Sequence, residues 1–292
     1  MQSIYRRMCH EWHGKANLIQ KPNKMSKSKI SITINEKILG EIDSIIDNVY
    51  IRNRSQAIEH LVKNSLGENK AAVILLGGDV GHLRISKEEY RPTAKIKGKS
   101  VIELALKKLR ESSFKTIFIV ARHEILTKIF EMVKDGTDYG VKVIYIEEKS
   151  SRGTADSLRH IKGKINTSFL VVYGDVIFDK INIEELWNDH IKQNSMATIM
   201  LTTSSKPSEK GTVKVEGTKV LAFTQKSKKS DIYLVFSPIF VTEPQMLEYS
   251  GSSLELDIFP ELAQKGMLNG HLSSEKEVHI HSLSDLKNYQ KN

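Results

Sequence analysis

Three glycines follow an apolar segment in a pattern that suits contact with phosphate. Residues 71–76 read AAVILL, and the next stretch, GGDVG, has glycines at positions 77, 78 and 81. Because glycine has no side chain, its backbone N–H groups can approach a phosphate closely. A second apolar segment ends at Asp175, whose carboxylate could hold a divalent cation between phosphates. The structural alternative is a tight turn and an aspartate that caps a loop, and the pattern alone leaves the two interpretations about even.

Strand-type segments from residue 71 onward would position these groups. They alternate with amphipathic segments such as VIELALKKLRES and EILTKIFEMVKDG, which are typical of helices. This alternation predicts an α/β fold with a mostly parallel sheet and helices on both faces. Ligands bind such sheets at the carboxyl ends of the strands, where GGDVG and Asp175 fall. The predicted strands are 71–76, 115–121, 141–148, 168–175 and 196–203.

A separate unit is predicted upstream, over residues 28–67. KISITI, residues 29–34, alternates isoleucine with Lys29, Ser31 and Thr33, as in a strand with one apolar face. Asn35 is a plausible N-cap of a first helix, and Asn53 or Ser55 could cap a second. About 40 residues lie near the lower limit for independent folding, so this unit needs a partner.

This β-α-α pattern resembles the ribbon-helix-helix family of DNA-binding domains. The resemblance implies a homodimer or larger oligomer whose paired strands enter the major groove of double-stranded DNA. Lys29, Ser31 and Thr33 would then face base edges. The start of the second helix would hold a DNA phosphate, through the residues Arg52, Asn53, Arg54 and Ser55. An ordinary dimerisation module with a solvated polar face is the alternative.

The larger segment, 70–292, resembles the sugar-phosphate nucleotidylyltransferases, which join a nucleotide to a sugar 1-phosphate and release pyrophosphate. The motifs that carry the resemblance, in order, are the glycine loop, IKGKSVIELALKKL, GTADSL, VVYGDVIFD, GTVKVEGTKVLAFTQK, YLVFSPIFVTEPQML and DIFPELAQKG. It implies a Rossmann-like domain. It also implies nucleotide or sugar contacts from the residues Gly77, Gly78, Gly81, Gly153, Thr154, Ala155, Asp175 and Lys226, with Asp175 as a metal ligand.

Several catalytic positions of that family differ in this chain. His82 stands where the family's loop has arginine, and Thr93 is assigned to the position of a lysine that follows the loop. His279 replaces the second metal carboxylate, which magnesium would prefer to an imidazole. Losing one transition-state donor can cost about 10²–10³ in rate, so these differences predict weak or absent turnover. His279 and His281 share a strand face and could bind a transition metal, but a pocket edge is the favoured interpretation.

Composition limits the remaining classes of function. Residues 1–70 contain 12 Lys/Arg and 7 Asp/Glu, a net charge of +5, whereas the rest of the chain has 44 − 12 = 32 basic and 35 − 7 = 28 acidic residues, a net charge of +4. This basic N-terminal part would favour a polyanion. The single cysteine, Cys9, excludes an internal disulfide. No apolar stretch reaches the length of a membrane span, so a cytoplasmic protein is expected.

These observations together predict a DNA-binding transcriptional regulator. Residues 1–27 would form a disordered arm and 28–67 the DNA-binding domain. Residues 70–292 would serve as a catalytically degenerate sensor of a nucleotide or nucleotide sugar, or as an oligomerisation module. No cofactor is certain, and magnesium is expected only with a bound nucleotide. The alternative is an active, magnesium-dependent sugar-phosphate nucleotidylyltransferase that forms a nucleotide sugar and pyrophosphate.

Overall fold

The computed structural model describes residues 29–49, 51–66, 70–87, 89–226 and 232–291. The predicted disordered arm at 1–27 therefore lies outside the described residues. None of the described helices is long and apolar enough to cross a membrane.

Eight α-helices are described, numbered here in chain order: α1 Glu36–Ser44, α2 Arg54–Leu66, α3 Val101–Glu111, α4 His123–Val133, α5 Thr154–Arg159, α6 Ile183–Gln193, α7 Phe259–Gln264 and α8 Leu283–Lys291. The strands are β1 Ala71–Leu76, β2 Lys95–Ile96, β3 Lys99–Ser100, β4 Thr116–Ala121, β5 Lys142–Glu147, β6 Phe169–Tyr173, β7 Val176–Ile177, β8 Ala197–Thr203, β9 Gly211–Glu216, β10 Lys219–Gln225, β11 Leu234–Thr242, β12 Leu268–Leu272 and β13 Val278–His279.

A nine-stranded sheet organises the domain in the order β5-β4-β1-β6-β11-β8-β12-β10-β9. β5, β4, β1 and β6 run parallel, as the sequence predicts. The prediction of a mostly parallel sheet needs correction beyond β6, where the sheet is mixed. β11 runs antiparallel to both β6 and β8, and β10 runs antiparallel to β12 and β9.

Both faces of the central strands are buried, which explains their continuous apolar sequences. Along β1, Ala72, Ile74 and Leu76 point into a core that includes side chains of α3, α4 and α6. Ala71, Val73 and Leu75 point into the opposite core, against α5 and α7. Because both faces are covered, the free ends of the strands are the places where polar groups can gather.

The two N-terminal helices form where the sequence predicts them. The Asn35 side chain accepts a hydrogen bond from the N–H of Lys37 at 2.9 Å and caps α1. Asn53 does the same for the N–H of Gln56 at 3.0 Å, at the start of α2. Arg54 joins the two helices through a bidentate pair with Asp43, at 2.7 and 2.8 Å.

The predicted strand at residues 29–34 is not formed in the described chain. This segment has no strand partner, and both of its faces are exposed, including Lys29, Ser31 and Thr33. Ile30 is 78 % exposed and Ile32 is 55 % exposed. An isolated strand has unpaired backbone groups and nothing to cover its apolar side, so it does not form alone.

Four phenylalanines fill the core under the antiparallel part of the sheet. Phe259 on α7 is fully buried and lies 5.3–5.4 Å, between ring centroids, from Phe223, Phe236 and Phe240. Its edge-on contacts with Phe236 and Phe240 are arrangements that aromatic rings favour. The ring therefore fixes α7 against the sheet.

We expect Phe259→Ala to lower the free energy of unfolding by about 3–5 kcal/mol, because it leaves a cavity between these rings. Urea unfolding followed by circular dichroism measures this. Leu272→Ala is the control, since Leu272 is 65 % exposed and its loss should cost no more than about 0.5 kcal/mol. Equal losses in the two variants would contradict the assignment.

Candidate active site

The glycine loop after β1 is shaped by close packing. A Cβ atom on Gly77 would lie 2.1 Å from both the Glu148 carboxylate and the Ser157 hydroxyl, so only glycine fits there. Gly78 has a φ of +100°, which also favours glycine. The sequence signal was therefore correct about tight geometry at this loop.

Two of the loop's amides are already engaged by carboxylates. The N–H of Gly78 donates to the buried Glu148 at 3.0 Å, and the N–H of Gly81 donates to Asp79 at 2.9 Å. Asp79 thereby caps the 3₁₀ turn Val80–Leu83. A carboxylate at the tip of the loop repels phosphate, so in this conformation the loop is not an open phosphate cradle.

A cleft of about 530 Å³ opens beside the loop, at the carboxyl ends of β1, β4 and β5. Arg122 reaches across the base of the cleft. The Nε of Arg122 donates to the Gly78 carbonyl at 3.2 Å and lies 3.5 Å from the Glu148 carboxylate. Carboxylates outnumber the side chains of fixed positive charge in the lining. The lining residues are Gly78, Asp79, Val80, Arg122, His123, Glu124, Glu147, Glu148, Lys149 and Ser151.

The second predicted loop packs directly on the π-helical turn Leu254–Ile258. Gly153 leaves no room for a side chain, because a Cβ there would lie 2.6 Å from the Ser252 carbonyl. Thr154, the first residue of α5, donates to Glu255 at 2.7 Å. Tyr173 also donates to Glu255, and burial together with the charge of that carboxylate raises the pKa of Tyr173 well above its usual value. Ala155 is buried, and its N–H donates to the Ser252 carbonyl at 2.9 Å.

Asp175 lies between β6 and β7, next to the glycine loop. Gly174 packs against the end of β1 so closely that a Cβ there would lie 2.5 Å from the Leu76 side chain. The Asp175 carboxylate forms an ion pair with Arg91 at 3.0 Å, and the two side chains are only 17 % and 18 % exposed. The predicted strand-end carboxylate is thus accompanied by a fixed cation.

Sequence reasoning missed Arg91. It assigned the family's lysine position to Thr93, but the Thr93 hydroxyl is used locally and donates to the Tyr90 carbonyl at 3.0 Å. The backbone bridge between Arg84 and Tyr90 folds the segment back on itself, and the turn Arg91–Thr93 follows directly. The sequence signal that could have identified Arg91 is its place as a basic residue directly before Pro92.

A second polar group lies beside Asp175, around the buried carboxylate of Glu277. Lys210 donates to Glu277 at 3.0 Å, the His279 ring nitrogen lies 2.9 Å away, and Ser237 donates at 2.7 Å. Burial by itself raises the pKa of Glu277, but the hydrogen bond from His279 and the charge of Lys210 outweigh it and bring the pKa to about 2. No motif or spacing in the sequence pointed to Glu277 or Lys210.

The pair of histidines, His279 and His281, connects the Asp175–Arg91 ion pair to the polar group around Glu277. β13 pairs with β7, and the N–H of Ile280 donates to the Asp175 carbonyl at 2.9 Å. The rings of His279 and His281 stack with centroids 5.4 Å apart. Burial and the nearby charge of Arg91 lower the pKa of His281. Within the described residues, no group of three or more His, Cys, Asp and Glu side chains could hold a metal ion.

Lys226, predicted to contact a sugar phosphate, is exposed at the end of β10. Its backbone N–H donates to the Lys210 carbonyl at 3.0 Å, so the two lysines are neighbours along adjacent strands. Its role in binding stays a prediction.

Comparison with known proteins identifies the family. Residues 71–277 match the family model described as Nucleotidyl transferase. The chain belongs to this nucleotidyl transferase family. The match covers most of the chain, from β1 to the buried Glu277.

Relatives of this nucleotidyl transferase are named as enzymes of sugar phosphates. The chain is 28 % identical over 205 residues to a mannose-1-phosphate guanyltransferase of Yarrowia lipolytica, covering 67 % of this chain and 56 % of that protein. It is 26 % identical over 218 residues to a UTP–glucose-1-phosphate uridylyltransferase of a Synechocystis species, with the same two coverages, 67 % and 56 %. The chain thus spans little more than half the length of these relatives.

A solved structure supports the fold. A crystal structure from Bacillus anthracis, described as a glucose-1-phosphate thymidylyltransferase in complex with sucrose, superposes with a TM-score of 0.67. The superposition covers 76 % of this chain and 94 % of that one, at 18 % identity. At that identity the similarity establishes the fold alone.

The prediction of a DNA-binding transcriptional regulator is wrong. The relatives are named as sugar-phosphate nucleotidyltransferases, and nothing in the comparisons points to DNA. Arg54 forms an exposed ion pair with Asp43, and the Asn53 side-chain oxygen caps α2. Arg52 and Ser55 are exposed beside them, and the strand that would carry Lys29, Ser31 and Thr33 is not formed.

The interpretation of the large domain as a degenerate sensor must also be corrected. The named relatives are enzymes, so family membership favours catalysis. Sequence reasoning did not consider Arg91 among the cations near Asp175. A cation from a neighbouring position, Arg91, reaches the strand-end carboxylate.

The low pKa of Glu277 predicts a pH-dependent contribution to stability. Its pKa lies at about 2 in the folded chain and near 4.5 when unperturbed. The ionised carboxylate therefore stabilises the fold above about pH 4.5, and this contribution is lost as the pH falls toward 2. The shift corresponds to about 3 kcal/mol at neutral pH.

We expect Glu277→Gln to lower the free energy of unfolding by up to about 3 kcal/mol at pH 7, with the difference from wild type shrinking between pH 4.5 and 3. Urea titrations at several pH values measure this. Glu275→Gln, at an exposed neighbour, is the matched control. A difference that stays constant down to pH 3 would show that Glu277 stabilises the fold without its charge.

Proposed function

We propose that this protein is a sugar-phosphate nucleotidyltransferase, which makes a nucleoside diphosphate sugar and pyrophosphate from a nucleoside triphosphate and a sugar 1-phosphate. A phosphate oxygen of the sugar phosphate would attack the α-phosphorus, and the bond from that phosphorus to the bridging oxygen of pyrophosphate would break. The match of residues 71–277 to the nucleotidyl transferase family carries this proposal. The names of the relatives support sugar 1-phosphates as the acceptor class.

The nucleoside would occupy the cleft beside the glycine loop. The carboxylates that line this cleft, including Asp79 and Glu147, repel phosphates but accept hydrogen bonds from ribose hydroxyls or base N–H groups. Gly77 packs closely against Glu148 at the edge of this cleft, where no side chain would fit. The triphosphate would extend from there toward Asp175, past Gly78 and Gly81.

Arg91 would neutralise charge on the transferring phosphates. Its guanidinium is already held at 3.0 Å from Asp175, so little reorganisation is needed when a phosphate arrives. Arginine suits this role because it stays charged and can donate two parallel hydrogen bonds. Arg91 would thereby supply a cation in place of the loop arginine of the family, whose position His82 occupies in this chain.

The residues near Asp175 fit a magnesium ion that arrives with the nucleotide. Magnesium is commonly held by one or two carboxylates and substrate phosphates, and Asp175 is the carboxylate at this strand end. When bound, the ion would supply positive charge to the phosphates. Asp175 would have two partners, the ion and Arg91, and would orient both.

Turnover tests this function directly. Purified protein, magnesium, a panel of nucleoside triphosphates and a panel of sugar 1-phosphates should release pyrophosphate in a coupled assay. We expect Arg91→Ala and Asp175→Ala each to lower kcat by about 10²–10³, since each removes a preorganised charge from the transferring phosphates.

Lys87→Ala is the matched control, because Lys87 is exposed in the same connection as Arg91. A nucleotidyltransferase of known activity serves as the positive control. Absence of pyrophosphate release for every pair of substrates would refute the proposed function. Turnover that is insensitive to both variants would keep the function and reject these residue roles.

We also propose that the protein self-associates through residues 29–34. The segment has strand-type alternation and exposes Ile30 and Ile32, at 78 % and 55 %. A second copy of the same segment could pair with it edge to edge and cover these side chains. This homo-oligomer is independent of any role in DNA binding.

The double variant Ile30→Ser/Ile32→Ser should shift the molar mass from oligomer to monomer in size-exclusion chromatography with light scattering, because it removes the apolar surface. Leu256→Ser, at a side chain that is 66 % exposed, is the control. An oligomer that survives the double variant would place the contact elsewhere.

A further inference from the structure

The proposed reaction assigns no role to the polar group around Glu277. The Glu277 side chain is only 1 % exposed, whereas Lys210 and His279, which contact it, are 31 % and 27 % exposed. A buried carboxylate thus holds two nitrogen-bearing side chains whose outer parts reach solvent. Burying a charge is costly unless it is paired, so this arrangement needs both partners.

Lys210 retains capacity for a ligand in this arrangement. An ammonium has three donors, and Glu277 accepts one of them at 3.0 Å. The His279 ring nitrogen lies 3.5 Å from the ammonium and 2.9 Å from the same carboxylate oxygen. Ser237 donates to the other carboxylate oxygen at 2.7 Å, and the Lys210 side chain, which is 31 % exposed, keeps donors that Glu277 does not use.

The position of this group connects it to the strand-end aspartate. His279 pairs with Val176, directly after Asp175, and His281 stacks on His279 from the side of Arg91. Lys226 lies on the other side, joined to Lys210 through the backbone. Arg91 is paired with Asp175 and Lys210 with Glu277, and Lys226 adds a further lysine next to Lys210.

We propose that Lys210 binds the phosphate of the sugar 1-phosphate, and that the buried Glu277 is the positioning residue that aims it. This inference rests on the proposed function for the identity of the ligand. In this chain a fixed ammonium would then hold the acceptor phosphate at the place where the family resemblance expects a second metal carboxylate. His279 would donate to Glu277 rather than ligate a metal.

Calorimetric titration of the full chain separates binding from turnover. The probes are α-D-glucose 1-phosphate, inorganic phosphate and a nucleoside triphosphate, each added alone. We expect Lys210→Ala to weaken glucose 1-phosphate by about 10- to 100-fold, the usual effect of losing a hydrogen bond to a charged group. The affinity for the nucleoside triphosphate should change by less than about 2-fold, within the context-dependence of such contacts.

Lys214→Ala is the matched control, since Lys214 is an exposed lysine on the neighbouring strand β9. Lys210→Arg should retain most of the affinity. The double variant Lys210→Ala/Glu277→Gln removes the unpaired buried charge, so it should regain thermal stability but not glucose 1-phosphate binding. Recovery of binding in the double variant would show that Lys210 is merely structural and would overturn the proposal.

Four further outcomes test the proposal. Equal weakening of all probes by Lys210→Ala, or no weakening of glucose 1-phosphate, would overturn the proposal. Lys210-dependent binding of inorganic phosphate alone, with glucose 1-phosphate unaffected, would also overturn it. If glucose 1-phosphate binding depends on Lys210 while no pyrophosphate is ever released, the subsite stands and the proposed catalytic function fails.

Discussion

The candidate site depends on the pairing of β1 with β6. These two parallel strands lie side by side although almost 100 residues separate them in the chain, and the N–H of Gly174 continues the ladder to the Leu75 carbonyl at 3.0 Å. Gly174 has no side chain, so the chain after β6 can lie against Leu76. This contact brings Asp175 to the glycine loop. Without it, the glycine loop and Asp175 could not contact one nucleotide, as the proposed function requires.

Charge is arranged around that contact in two different ways. On the side of the cleft, carboxylates dominate, and Glu148 and Asp79 occupy loop amides that could otherwise bind phosphate. On the side of Asp175, carboxylates are matched by Arg91 and Lys210. An uncharged nucleoside suits the first environment and phosphates suit the second. In the proposed binding mode, this separation of charge favours one direction of the nucleotide across the strand ends.

The arrangement of charge gives a physical explanation for the residue that replaces a family carboxylate at position 279. His279 takes a place where a metal-binding carboxylate is expected, and its ring contacts the buried Glu277. Lys210 contributes a permanent charge at the same spot. A fixed ammonium and a metal ion both stabilise phosphate, although the ammonium requires a buried counter-charge to hold it. The cost of burying Glu277 is offset by its three hydrogen-bond partners.

The sequence by itself determined five strands of the central sheet, the two N-terminal helices and one half of the site. Continuous apolar runs predicted all five strands, because parallel strands buried on both faces leave no place for polar residues, and the glycine loop and Asp175 followed from their positions at strand ends. Only the tertiary structure placed β11 antiparallel between β6 and β8, since the apolar pattern of a buried strand carries no direction. It also decided that Arg91 meets Asp175 across 84 residues, and that Lys210 meets Glu277 across 67. Such pairs depend on how the chain folds back in space, and charged residues without periodic spacing give no sign of it.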